Sequence, residues 1–121
     1  MKGATLLAKT EKLFEPLVRH LQNLGYSYVG GKEGSIVLDP DREYRFTLYD
    51  RPAEPCLFEE CEIPEEASRM GYRFGYPVEC RSEALFCDVV SRVPPEMDIM
   101  ICDSDGSLFR PSEVNPASIC L

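Results

Sequence analysis

Between Thr10 and Leu24 the apolar residues Leu13, Phe14, Leu17, Val18, Leu21 and Leu24 recur at steps of three and four, which predicts an amphipathic helix. Thr10 is the candidate N-cap and Gly25 the stop. Pro16 offers an alternative first turn further along, since proline fits the start of a helix. Residues before Thr10 either extend this helix or form a short edge strand through Ala4 to Ala8. The period then changes to two. Tyr26 and Tyr28, followed by Ile36 and Leu38, predict two strands joined across Gly30-Gly31 and the Lys-Glu-Gly turn. Tyr44, Phe46 and Leu48 alternate with Arg45 and Thr47 in the clearest half-buried strand. Its expected companion is Cys56 to Ile63, a stretch with no clean apolar face, as befits an edge strand guarded by charge.

Further on, Tyr72, Phe74 and Tyr76 alternate with Arg73 and Gly75 as strand residues do. Ser82 caps a second helix running to Val93, with Leu85, Phe86, Val89, Val90 and Val93 on its inward stripe and Pro94-Pro95 behind it. Ile99 to Ile101 is an apolar run suited to a central strand. Asp103 to Gly106 turns the chain, and Leu108 with Phe109 begins the return. The pattern predicts one α+β domain over residues 1–121, an antiparallel sheet of about five to seven strands packed against two helices.

Charge adds a direction to this outline. Residues 1–50 hold seven Lys/Arg and seven Asp/Glu, whereas residues 51–121 hold six against fourteen, so the net charge of −8 arises entirely in the second part. Its densest stretch contains Glu54, Glu59, Glu60, Glu62, Glu65 and Glu66, with no base between Arg51 and Arg69. Such a field repels nucleic acid and anionic lipid and draws cationic partners from a distance. No apolar run approaches the roughly 20 residues of a membrane span, and the N-terminus lacks the pattern of an export signal, so a cytoplasmic protein is expected. In that reducing setting the six cysteines are expected as free thiols. No C-x-x-C pair and only one histidine, His20, are available for a metal.

Chemistry is sparsely advertised. Asp103-x-Asp105-Gly106 resembles the start of a calcium loop, but the sixth and twelfth positions are Leu108 and Val114 where an EF-hand needs Gly and Glu. His20 has no nucleophile motif beside it, and Glu59 with Glu60 would point to opposite faces of a strand. Neither a catalytic residue nor a cofactor or metal site is assigned. The sharper reading of the acidic stretch is a contact surface, in which Phe58 is an apolar anchor among Glu54, Glu59, Glu60, Glu62, Glu65 and Glu66.

The segments Glu79 to Val90, Asp103 to Gly106 and Val114-Asn115-Pro116 together resemble small immunity proteins of bacterial polymorphic and contact-dependent toxin systems. The likeness lies in a Ser-capped helix, an apolar strand, an Asp-Gly turn and a terminal Val-x-Pro segment, within residues 79–121. It implies a non-catalytic protein that binds a cognate toxin, one with a basic cleft, and neutralises it. The competing expectation is a small ligand-binding or regulatory α+β domain, which would show a pocket between sheet and helices.

Overall fold

Alternation and helical periodicity resolve, in the computed structural model, into seven strands and three α-helices, besides short 3-10 turns at Pro95–Met97 and Pro111–Glu113, among the described residues, which are 3–30, 34–39, 43–50 and 63–121. They are β1 (Gly3–Ala8), α1 (Phe14–Asn23), β2 (Tyr28–Gly30), β3 (Ile36–Leu38), β4 (Phe46–Leu48), α2 (Glu65–Arg69), β5 (Phe74–Cys80), α3 (Glu83–Val90), β6 (Ile99–Cys102) and β7 (Leu108–Phe109). The strands form one sheet in the order β2-β3-β4-β5-β1-β6-β7, with every neighbour antiparallel. The fold is α+β.

The pleat divides the side chains between two faces. Leu6, Phe46, Leu48, Tyr76, Val78 and Ile101 meet Leu17 and Leu21 of α1 and Phe86, Val89 and Val90 of α3 in one continuous core. Phe46 and Phe86 stack within it at 5.9 Å between ring centroids. On the opposite face Leu7, Met100 and Cys102 are covered by Ala67 of α2 and by Tyr72. That cover spans only the β1 and β6 end, so the face formed by β2, β3 and β4 carries no helix among the described residues.

The stops of α1 and α2 follow one chemistry. At the end of α1 the Gly25 N–H donates to the Gln22 carbonyl and the Tyr26 N–H to that of Leu21. At the end of α2 Gly71 and Tyr72 repeat the pattern onto Ser68 and Ala67. These are Schellman closures, and they need the left-handed backbone that Gly25 (φ 102°) and Gly71 (φ 95°) supply. Ser82 caps α3 as expected, its Oγ accepting from the Leu85 N–H at 3.2 Å.

Several expectations are corrected. Thr10 does not cap α1: Leu13 occupies that position, Pro16 lies in the first turn, and the Thr10 hydroxyl instead accepts from the Lys12 N–H. Ala4 to Ala8 is no edge strand. It sits between β5 and β6, which is why both of its faces are apolar and five of its six residues are buried. β4 pairs with β3 and β5 and has no free side for a strand from Cys56 to Ile63, a segment of which only Ile63 lies among the described residues. α3 ends at Val90, three residues before Val93. α2 is a third helix where only acidic solvation was legible.

Candidate functional site

Of the acidic contact residues read from the sequence, Glu54, Phe58, Glu59, Glu60 and Glu62 lie outside the described residues. Glu65 and Glu66 form the exposed first turn of α2, where negative charge favours the helix N-terminus. Glu65 spends part of its field locally. Its Oε1 lies 2.7 Å from an Arg69 guanidinium nitrogen one turn on, an exposed pair of small energetic weight.

The tyrosine after each Schellman glycine reaches a carboxylate. Tyr26 donates to Asp88 at 3.0 Å and lies under the Arg92 guanidinium, while Tyr72 donates to Asp98 at 2.6 Å and lies under the Lys9 ammonium, 5.0 Å from the ring centre. Lys9 also pairs with Asp98 at 2.9 Å. The Asp98 backbone is left-handed (φ 48°), a conformation that aspartate tolerates better than most residues. The Tyr72 hydrogen bond, and then Lys9, hold the Asp98 carboxyl below its ordinary value, while burial pushes the Tyr72 phenol up. A carboxylate with a lowered folded pKa stabilises fully above its unfolded value, about 3.9, and loses that contribution as pH falls through the folded value. Asp98→Asn is therefore expected to cost about 1 kcal/mol at pH 7, discounted for exposure, and less near pH 2. Urea unfolding at the two pH values checks this; an equal loss at both would contradict it.

Other candidates prove architectural. Asp103 is buried, and its carboxylate accepts from the backbone N–H groups of Asp105, Ser107 and Cys120, so its oxygens serve the β6–β7 turn rather than a cation. His20 Nε2 meets the Arg92 carbonyl at 3.0 Å and ties α1 to the end of α3. Cys80, Cys87 and Cys102 are buried thiols. Burial pushes the Cys87 thiol up, away from reactivity. No group of three or more potential metal ligands occurs among the described residues.

A concavity of about 650 Å³ lies on the uncovered face of the sheet. Its floor is Val37, Thr47 and Glu79, cross-strand neighbours on β3, β4 and β5, and its wall includes Tyr44, Tyr49, Arg45 and Arg81. Tyr49 donates to Glu79 Oε2 at 3.1 Å, while the Tyr49 N–H donates to the Pro77 carbonyl at 3.0 Å and holds the chain against β5. The lining mixes both signs of charge with two phenols and valine, a surface able to bind polar ligands by pairing and stacking. Comparisons with protein families, characterised proteins and solved structures give no match.

The concavity is not where a pocket was expected. Among the described residues the space between sheet and helices holds the apolar core, and this hollow opens on the other face. Arg45 reads in sequence as the solvent half of an alternating strand, and Glu79 enters only at the start of the segment that carries the resemblance. Nothing local announces that two strands so far apart in the chain bring them to one hollow, because that register is set by non-local pairing.

Proposed function

We propose that this chain works by binding, as a non-catalytic inhibitor that docks its acid-rich surface on the basic cleft of a protein partner, in the manner of immunity proteins of bacterial toxin systems. The observation that carries the reading is the charge partition: the whole net charge of −8 arises in residues 51–121. The exposed Glu65 and Glu66 on α2 support it, since they present carboxylates to solvent beside the acidic stretch that precedes them. A toxin acting on phosphate-bearing substrates needs cationic groups in its cleft. An acidic surface occupies such a cleft by mimicry and associates quickly through long-range attraction.

The concavity favours a second reading, a ligand-binding domain, because it offers both charges and aromatic walls in one hollow. The two readings separate experimentally. With the purified product of a gene adjacent to this one as partner, replacing Glu59, Glu60, Glu62, Glu65 and Glu66 by Gln is expected to slow association about tenfold at low salt and flatten its salt dependence. Stopped-flow association at several ionic strengths is the measurement. Unchanged kinetics would remove these residues from the interface.

A further inference from the structure

The register sets Thr47 against Glu79 and Phe46 against Cys80, so Arg45, which precedes β4, and Arg81, which follows β5, flank the last pair of this ladder, and both line the concavity. Facing or diagonal side chains of an antiparallel pair have Cβ atoms about 5–8 Å apart, and like charges so close to one another destabilise a sheet. Neutralisation is missing locally. Glu43 and Glu79 line the same hollow, yet among the described residues neither arginine makes an ion pair or a hydrogen bond. In a chain with eight excess negative charges, two arginines that share one hollow without an ion pair among the described residues are an arrangement that stability alone does not favour.

We infer that this end of the concavity is an oxyanion site, with Arg45 and Arg81 as twin anchors, for a small ligand carrying a carboxylate or phosphate group on a flat apolar body. Guanidinium forks match the geometry of either anion and bind it bidentately. Tyr44, 45% exposed, and Val37 supply the surface against which a ring would lie. Thr47 and the Tyr49–Glu79 pair close the floor. The site uses none of the acidic residues assigned to the protein contact and does not depend on a protein partner.

Titration of the full chain with phenyl phosphate and with benzoate, followed by amide chemical shifts at constant ionic strength, tests the site. Saturable binding of either probe, weakened about tenfold or more in both Arg45→Gln and Arg81→Gln but unchanged in Arg73→Gln, is the expected result. The tighter probe names the anionic group. Without ligand, each of the two variants should melt at or slightly above the wild-type temperature, because removing one guanidinium relieves the other. Absence of saturable binding, or binding that survives both substitutions, overturns the inference. So does a fall in melting temperature in both unliganded variants, which would make the pair structural.

Discussion

Asp103→Ala is expected to lower stability by about 3–4 kcal/mol, the largest effect of any single polar substitution considered. Three backbone N–H groups converge on this one carboxylate. Asp105 and Ser107 donate to Oδ1 at 3.0 and 2.9 Å, and Cys120 to Oδ2 at 3.1 Å. The residue is only 6% exposed, so water cannot replace what is lost. Hydrogen bonds to a charged group are each worth about 1.5–3 kcal/mol, and the three share one acceptor, so the total falls below their sum. For a chain of this length the corresponding drop in melting temperature is about 12–16 °C. Asp103→Asn should recover part of the loss, since one oxygen is kept. Thermal unfolding of both variants decides the point: a loss below about 1 kcal/mol for Ala would show that the C-terminal segment is not held by this group.

A second substitution, Tyr76→Phe, removes one oxygen from the centre of the molecule. Tyr76 is fully buried on β5, and its hydroxyl accepts from the Leu13 N–H at 3.1 Å and faces the Thr10 carbonyl at 3.4 Å. It replaces the side-chain cap that α1 lacks. Without it the Leu13 N–H is buried and unpaired, at an expected cost of about 2 kcal/mol, while the unchanged ring volume rules out a cavity as the cause. Hydrogen exchange at Leu13 should accelerate more than exchange at Leu48, which lies in the same core but does not touch the hydroxyl. Equal acceleration at both sites would assign the loss to global destabilisation alone.

These two residues also show what the sequence could and could not reveal. Asp103 was legible as a turn residue because Asp-Ser-Asp-Gly between apolar runs is local chemistry. Its bond to Cys120 was not, because the partner lies on a different segment. Tyr76 was legible as a strand residue by alternation, and Ser82 as a cap by its place before an apolar stripe. The position of β1 was misread because six residues carry too little pattern to separate an edge strand from a central one; burial on both faces, the deciding property, is set by β5 and β6. α2 escaped because five residues with two leading glutamates give no full apolar stripe. The acidic candidates were chosen from composition, which reports charge along the chain but not its place on the surface. Arg45 and Arg81 were hidden for the opposite reason: each is unremarkable alone, and only the non-local pairing of β4 with β5 brings both to one hollow.

The seat of β1 in the middle of the sheet sets a schedule for synthesis. Both of its neighbours come from beyond the midpoint of the chain, with Ala8 opposite Phe74 on one side and Ile99 on the other. At the ordinary ribosomal pace of about 5–20 residues per second, β1 waits roughly 3–13 s after it is made before even the start of β5 is made. Through that interval Leu6 and Leu7, which end in opposite cores, have no sheet to enter. A nascent chain of this kind carries a sticky apolar strand well ahead of its partners, and closure of a loop of more than sixty residues governs when that strand is sheltered.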